Sequence, residues 1–160
     1  MNKVIDTNIW RYGFLHDEEY RMDCANFLYA FIMNRQDSMA MDAGGKMLSE
    51  YNRNLRQDPE FRKTFVQLQR DNRISHVVSR IPMRHKERLR ALGFHEEEDH
   101  VFLGTALQAD RYLVSEDSDY GTRGQKEKQQ ANQYMRETLG IMLRNSEEAL
   151  EDIRGIEGGA

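Results

Sequence analysis

Apolar and polar residues alternate along the chain in a pattern that predicts short strands separated by amphipathic helices. The first strand is predicted at Val4-Ile5, two β-branched residues that run directly into an aspartate, a hydroxyl and an amide at positions 6–8. That combination is typical of a short buried strand ending at a polar site. Four further stretches are predicted as strands: 38–41, 74–78, 111–115 and 141–143.

Between these strands, apolar residues recur at helical spacing. Residues 7–14 are predicted as a loop or broken helix, and a short final helix is predicted to be capped by Ser146. The remaining predicted helices cover 19–34, a stretch that carries 47–55, 59–70, 80–93, a buried stretch at 101–107, and 124–138. Because strands and helices alternate, the predicted fold class is α/β, with a central parallel sheet covered by helices on both faces.

The length and the lack of linkers indicate one domain. At 160 residues the chain can bury a full hydrophobic core, and no Pro/Gly/Ser-rich stretch divides it. We predict a domain over 1–154 and a disordered tail over 155–160. No apolar run approaches about 18 residues and no signal peptide opens the chain, so we expect a cytoplasmic protein without a membrane partner. The single Cys24 is predicted to be a buried, inert thiol.

The charge balance excludes one simple class of function. The chain has 27 acidic and 23 basic residues, for a net charge of −4. A protein that coats nucleic acid through charge alone is usually basic, so this composition argues against such a protein. An enzyme that holds several carboxylates in a metal site would nevertheless be acidic overall.

Four acids occupy sequence positions from which their side chains could form one shared site. Asp6 and Asp117 follow predicted strands, while Glu50 and Asp99 lie at the margin or the start of predicted helices. In open α/β sheets, ligands bind outside the carboxyl ends of the parallel strands. Clustered carboxylates repel one another unless a cation lies among them, and Mg²⁺ prefers such oxygen ligands. The chain has no His/Cys spacing for zinc and no Gly-rich phosphate loop before a helix.

Each acid also has a plainer interpretation. Asp6 can be a cap after a strand, and Asp42, at the end of the second strand, competes with Glu50 for the same role. Glutamates at 96–98 precede Asp99, and such a run often marks only a solvated helix start. Asp119 is about as well explained as a turn former.

Taken together, four motifs resemble the PIN-domain nucleases in order and spacing. They are VIDTN at 4–8, LSE at 48–50, DHVFLGTAL at 99–107 and LVSEDSDY at 113–120. The resemblance implies a PIN-like domain in which acids converge at the carboxyl edge of the sheet. By the same resemblance, the metal-binding and catalytic acids would be Asp6, Glu50, Asp99 and Asp117, with Asp119 as a further metal ligand and with Asn8 and Ser115 as supporting polar residues.

The resemblance also implies an activity. We expect a nuclease that depends on Mg²⁺ or Mn²⁺, most directly an endoribonuclease acting through a metal-activated water, with DNA as the less common substrate. Many small relatives are VapC-like toxins, which implies a homodimer and an inhibitory antitoxin or other complex partner. The long, charged segment 58–92 departs from the most compact of those toxins.

Two alternatives remain beside the nuclease. One is a PIN-like subunit that binds nucleic acid or serves as a scaffold in a larger assembly without cleaving. The other is a response-regulator-type domain, which would need a lysine after a late strand, where this chain has acids instead.

A nucleic-acid strand is negatively charged, so its binding near these acids also requires basic residues. Dense basic residues occur at 80–90 and around Arg123, Lys126 and Lys128. We favour Arg84 and Arg88 as the contacts to the nucleic-acid backbone, because residues four apart share one face of a helix.

Overall fold

The sheet has the predicted parallel α/β architecture. The computed structural model describes residues 1–55 and 58–158. Its strands are β1 (Asn2–Ile5), β2 (Ser38–Asp42), β3 (Ile74–Val77), β4 (Tyr112–Val114) and β5 (Met142–Arg144). All neighbouring strands are parallel and their order is β3-β2-β1-β4-β5. The sequence-based prediction of a parallel sheet flanked by helices is therefore confirmed.

Eight α-helices accompany these strands in the described part of the chain. They are α1 (Thr7–Phe14), α2 (Met22–Met33), α3 (Lys46–Leu55), α4 (Pro59–Arg70), α5 (Met83–Ala91), α6 (Glu97–Gln108), α7 (Gln129–Gln133) and α8 (Ser146–Gly158). None of the helices in the described part of the chain is both long enough and apolar enough to cross a membrane.

The direction in which successive strands are added to the sheet changes between β1 and β4, although all strands are parallel. From β1 the chain moves outward to β2 and β3, and it then returns to place β4 on the other side of β1. The crevice outside the carboxyl ends of two such strands is where open α/β sheets bind ligands. In this chain the crevice lies between Asp6, which follows β1, and Ser115, which follows β4.

The core lies on both sides of the central strands. Every residue of β4 and the last three of β1 are buried, whereas the edge strand β3 is half-exposed. Trp10 belongs to this core, where its ring packs against Phe14, Tyr51 and Phe61. Trp10 is 1% exposed, so it contributes to the core and not to a surface.

The segment after Asp6 is a regular helix rather than the predicted loop or broken helix. Asp6 accepts a hydrogen bond from the backbone N–H of Thr7 and so satisfies one free donor at the start of α1. Ile9 and Trp10 then face the core from the first turns. Because two large side chains are buried so early, tertiary packing stabilises a helix that is only 8 residues long.

Two further predictions near the C-terminus were wrong in detail. The predicted helix over 124–138 is divided into a 3₁₀ turn (Lys126–Lys128), α7 and a π-helical segment (Tyr134–Thr138). The final helix is capped by Asn145, whose side chain and backbone exchange hydrogen bonds with Glu148, while the Ser146 hydroxyl donates to the Cys24 sulfur instead.

The predicted disordered tail is largely helical. Helix α8 has 13 residues and continues to Gly158, so it includes most of the segment 155–160. Residues 159 and 160 lie outside the described part of the chain.

Glycine at position 104 allows one close contact that orients α6. A Cβ atom there would lie 2.5 Å from the Ser79 hydroxyl oxygen and 3.0 Å from the Arg80 nitrogen. The Ser79 hydroxyl also donates to the carbonyl oxygen of Val101. The chain after β3 is thereby held against the helix that carries Asp99.

Candidate active site

Asp6 is fixed at the end of the first strand by contacts with the neighbouring strand. Ile5 pairs with Val114, and the Asp6 N–H continues the ladder by donating to the Val114 carbonyl oxygen at 2.9 Å. The Ser115 hydroxyl donates to Asp6 Oδ2 at 2.7 Å. Asp6 is only 3% exposed, so its carboxylate is held in one orientation at the crevice.

Ser115 also connects Asp6 to the chain after β4. Its hydroxyl oxygen accepts a hydrogen bond from the backbone N–H of Asp117 at 2.9 Å, and its carbonyl oxygen accepts from the Thr122 hydroxyl at 2.8 Å. The residue is completely buried. Ser115 therefore has the geometry of the supporting residue predicted from the sequence.

Three further acids lie close to one another near Asp6. Carboxylate oxygens of Asp99, Asp117 and Asp119 all lie within 4.8 Å of one another. Asp117 Oδ1 accepts from the Asp119 N–H at 2.9 Å, which holds the turn after β4. The Tyr120 hydroxyl donates to the backbone carbonyl of Asp99 at 3.1 Å and links this turn to the first turn of α6.

Glu50, rather than Asp42, contributes charge to this group. Both carboxylate oxygens of Asp42 accept backbone hydrogen bonds at the start of α3, from Lys46 and Met47, so Asp42 acts as a helix cap. Glu50 lies one turn further along α3, half-buried, and its negative charge raises the pKa of Asp6. A cavity of about 260 Å³ beside Glu50 is also lined by Ser49 and Arg53.

Burial is the main influence on the pKa values of these acids, and the charges of neighbouring acids add to it. Burial raises the pKa of Asp6 to about 7, and the charges of Asp117 and Glu50 add to this although the Ser115 hydrogen bond opposes it. Burial and the charge of Asp6 raise the pKa of Asp99 to about 9. The pKa values of Glu50 and Asp117 are also raised, in both cases chiefly by burial. Burial and neighbouring negative charges thus both oppose ionisation of these acids, and a bound cation would favour it.

One cation does reach the group. The ammonium of Lys128 lies 3.1 Å from Asp119 Oδ1, and among the described residues this is the one ion pair made by any of the five acids. Although burial opposes the change, hydrogen bonds with Asp99 and Lys128 lower the pKa of Asp119. Lys128 was not expected to reach the acids from the sequence, because no linear motif connects it to Asp119.

The chemistry of the side chains fits a hard divalent cation. Every acid offers oxygen, which Mg²⁺ and Mn²⁺ prefer. The Thr7 hydroxyl is close enough to lower the pKa of Glu50, but the pair does not have hydrogen-bond geometry, so this buried oxygen has no partner among the described residues. An unpaired buried oxygen beside clustered carboxylates is what an ion or an ordered water would satisfy.

Thr7 was missed by the sequence-based prediction, although it belongs to the quoted motif. The predicted supporting residue, Asn8, lies half-buried in the first turn of α1 and makes no side-chain hydrogen bond with the described residues. Position alone within a motif cannot show which of two adjacent polar side chains turns inward on a helix.

The predicted nucleic-acid contacts lie on the fifth helix. Arg84 and Arg88 are exposed on α5, and Arg88 lines a cavity of about 330 Å³ with Gln133 and Tyr134. Neither arginine forms an ion pair within the described residues, so both are available to an anion.

Comparisons with known proteins identify no family. No model of a known protein family matches the chain, and no curated protein matches it. The function proposed below therefore rests on the geometry of the site and on the motifs.

Proposed function

We propose that this protein is a nuclease dependent on Mg²⁺ or Mn²⁺, with a PIN-like active site that hydrolyses phosphodiesters in RNA. The observation that carries the proposal is the convergence of Asp6, Glu50, Asp99 and Asp117 at the crevice between β1 and β4. In that position all four have raised pKa values. Such an arrangement costs stability unless a cation binds there, and a divalent ion held by carboxylates can activate a water and stabilise the leaving oxygen in phosphodiester hydrolysis.

In this proposal the carboxylates have different roles. Asp6, Asp99 and Asp117 hold the ion, with Asp119 as a further acid at the same place. When bound, the metal supplies a more acidic water and positive charge against the phosphate oxygens. Glu50, at the edge of the cavity, is the carboxylate best placed to accept the proton of the attacking water.

Other residues keep these groups in position. The Ser115 hydroxyl and the Thr7 N–H each donate to one oxygen of Asp6, which fixes the plane of its carboxylate. Tyr120, fully buried, ties the turn after β4 to α6. Preorganised ligands of this kind lower the reorganisation required when the ion binds.

The first experiment measures cleavage of end-labelled single-stranded RNA and DNA by the full chain. With Mn²⁺ we expect internal cleavage of RNA, no cleavage in excess EDTA, and a loss of about 1000-fold in Asp99→Asn. Glu60→Gln is the matched control, since Glu60 is exposed in the first turn of α4. Cleavage that survives EDTA, or that Asp99→Asn retains, would refute the proposal.

A binding measurement separates the enzyme from the non-cleaving alternative. The melting temperature should rise when millimolar Mn²⁺ is added, because a ligand of the native state stabilises it by mass action. Metal binding and RNA binding without cleavage of any RNA or DNA offered would favour the nucleic-acid-binding or scaffold subunit.

The toxin role that the resemblance to PIN-domain nucleases implies has its own test. Expression of the wild-type chain in a bacterial host should arrest growth, and Asp99→Asn should relieve the arrest at equal protein level. Light scattering of the purified chain should give twice the mass of one chain if the proposed homodimer forms. An inhibitory partner would be sought as a protein that restores growth when it is co-expressed.

A further inference from the structure

Lys128 contributes a positive charge inside the acidic cluster. Its ammonium lies 3.1 Å from Asp119 Oδ1, and the two side chains are only 22% and 27% exposed. Its charge also lowers the pKa of Asp117 against the stronger opposing effect of burial. The lysine is therefore part of the electrostatics of the crevice rather than of the outer surface.

The backbone holds Lys128 in this position. Gly121 follows the turn that carries Asp119 and has φ +66°, which favours glycine. A Cβ atom on Gly121 would lie 3.2 Å from Lys128 Cβ, so the two segments touch because this residue has no side chain. Asn132 then donates to the Tyr120 carbonyl oxygen at 2.7 Å and ties α7 to the same turn.

Asp119 therefore has two competing uses. Its carboxylate lies within 4.8 Å of those of Asp99 and Asp117, so these three acids form a set that can hold a metal ion. Asp6 is joined to the backbone of Asp117 through the Ser115 hydroxyl, which donates to Asp6 Oδ2 and accepts from the Asp117 N–H. Five carboxylates in all exceed what one divalent ion requires, and such sets commonly take two. Lys128 already pairs with one of these carboxylates, that of Asp119.

We propose that Lys128 takes the place of a second divalent cation, so that the chain binds a single ion among Asp6, Asp99 and Asp117. The inference rests on the proposed metal-dependent function and specifies how its site is filled. Lys128 is a positioning residue: it holds Asp119 away from the ion and supplies fixed positive charge on that side of the crevice.

The test is calorimetric titration of the full chain with Mn²⁺, which counts bound ions without reference to activity. We expect about one ion in the wild type and about two in Lys128→Met, because the freed Asp119 carboxylate becomes a ligand. Lys128→Arg should restore about one ion, since it keeps the charge. Lys126→Met is the matched control, because Lys126 is exposed two residues away and makes no ion pair with the described residues.

The double variant Lys128→Met/Asp119→Asn guards against a general change in folding. It should return to about one ion, because the second site loses its ligand. Two ions in the wild type, or one ion with affinity within about twofold of wild type in Lys128→Met, would overturn the role of Lys128 while leaving the metal site intact. No ion in the wild type would overturn the proposed function itself.

Discussion

Glu116 and Asp117 are adjacent in the chain, yet they enter two acidic clusters with opposite electrostatics. Glu116 belongs to the arginine-paired cluster, formed by Asp23, Glu116, Arg21 and Arg123. Asp117 belongs to the unpaired cluster, formed by Asp6, Glu50, Asp99 and Asp117. Burial opposes ionisation in both, but hydrogen bonds from Arg123 lower the pKa of Glu116, whereas the pKa of Asp117 is raised.

The difference shows that geometry alone does not identify a metal site. Asp23, Cys24 and Glu116 also bring ligand atoms within 4.8 Å of one another. Arg123 donates to Glu116 at 2.8 and 2.9 Å and to Asp23 at 2.9 Å, so these carboxylates already have their cations. Cys24 is buried, and its pKa is raised to about 12, so its sulfur is a protonated thiol at neutral pH. Only the unpaired cluster still requires positive charge.

The largest expected effect is on cleavage, and it should occur in one cluster alone. Asp6→Asn should reduce Mn²⁺-dependent RNA cleavage by about 1000-fold, because it removes a metal ligand from the crevice. Glu116→Gln, which alters the neighbouring arginine-paired cluster, should stay within about threefold of wild type when it is assayed well below its melting temperature. Equal losses in the two variants would contradict the division into a functional and a structural cluster.

The free energy of unfolding should depend chiefly on the arginine-paired cluster. Arg123→Ala leaves the fully buried Glu116 side chain without its main partner and should lower the free energy of unfolding by about 3 kcal/mol. The measurement is urea unfolding of the metal-free protein. Arg62→Ala, at an exposed position of α4, should change the same free energy by no more than about 0.5 kcal/mol.

The metal-free protein should become less stable as pH rises through the range in which Asp6 ionises. The folded-state pKa of Asp6 is about 7 and its ordinary value is 3.8, so the folded state binds the extra proton and stability falls between these two values. Asp6→Asn should therefore raise the melting temperature by about 5 °C at pH 8 and leave it nearly unchanged at pH 4.

The contribution of Glu116 to stability should depend on pH in the opposite direction, which provides an internal check. Its pKa is lowered from 4.5, so its contribution to stability is present above that value and is lost as pH falls further. Glu116→Gln should therefore destabilise the protein at neutral pH and matter little at strongly acidic pH. Parallel pH dependence in Asp6→Asn and Glu116→Gln would argue against the electrostatic contrast between the clusters.

The smallest effect concerns arginines that belong to neither cluster. Arg84→Ala/Arg88→Ala should weaken single-stranded RNA binding to an Asp6→Asn protein and reduce the salt dependence by about 0.7 log units per log salt for each lost phosphate contact. Arg62→Ala/Lys63→Ala is the control, because it removes two exposed cations from α4. Unchanged affinity and slope in the α5 variant would show that these arginines are only a solvated helix face.

Local patterns in the sequence determined the architecture and the positions of the acids along the chain. Buried strands appear as β-branched or apolar runs, and Asp6 and Asp117 follow two of them, so their presence at the carboxyl edge follows from strand direction. Helix α4 was predicted over its full length, because Asp58-Pro59 is a local start signal that depends on no distant contact.

Only the tertiary structure decided which of several similar residues cap helices, form ion pairs or join the acidic group. Asp42 caps a helix while Glu50 adds its charge to the acidic group. Glu116 pairs with two arginines, whereas Asp117 forms no ion pair with any residue that the structure describes. Lys128 reaches Asp119 because Gly121 allows two segments to touch. These roles depend on contacts between residues that are distant in the chain or on the side to which a side chain turns. Composition and periodicity cannot predict such contacts, because they reflect only the local conformational preference of each segment.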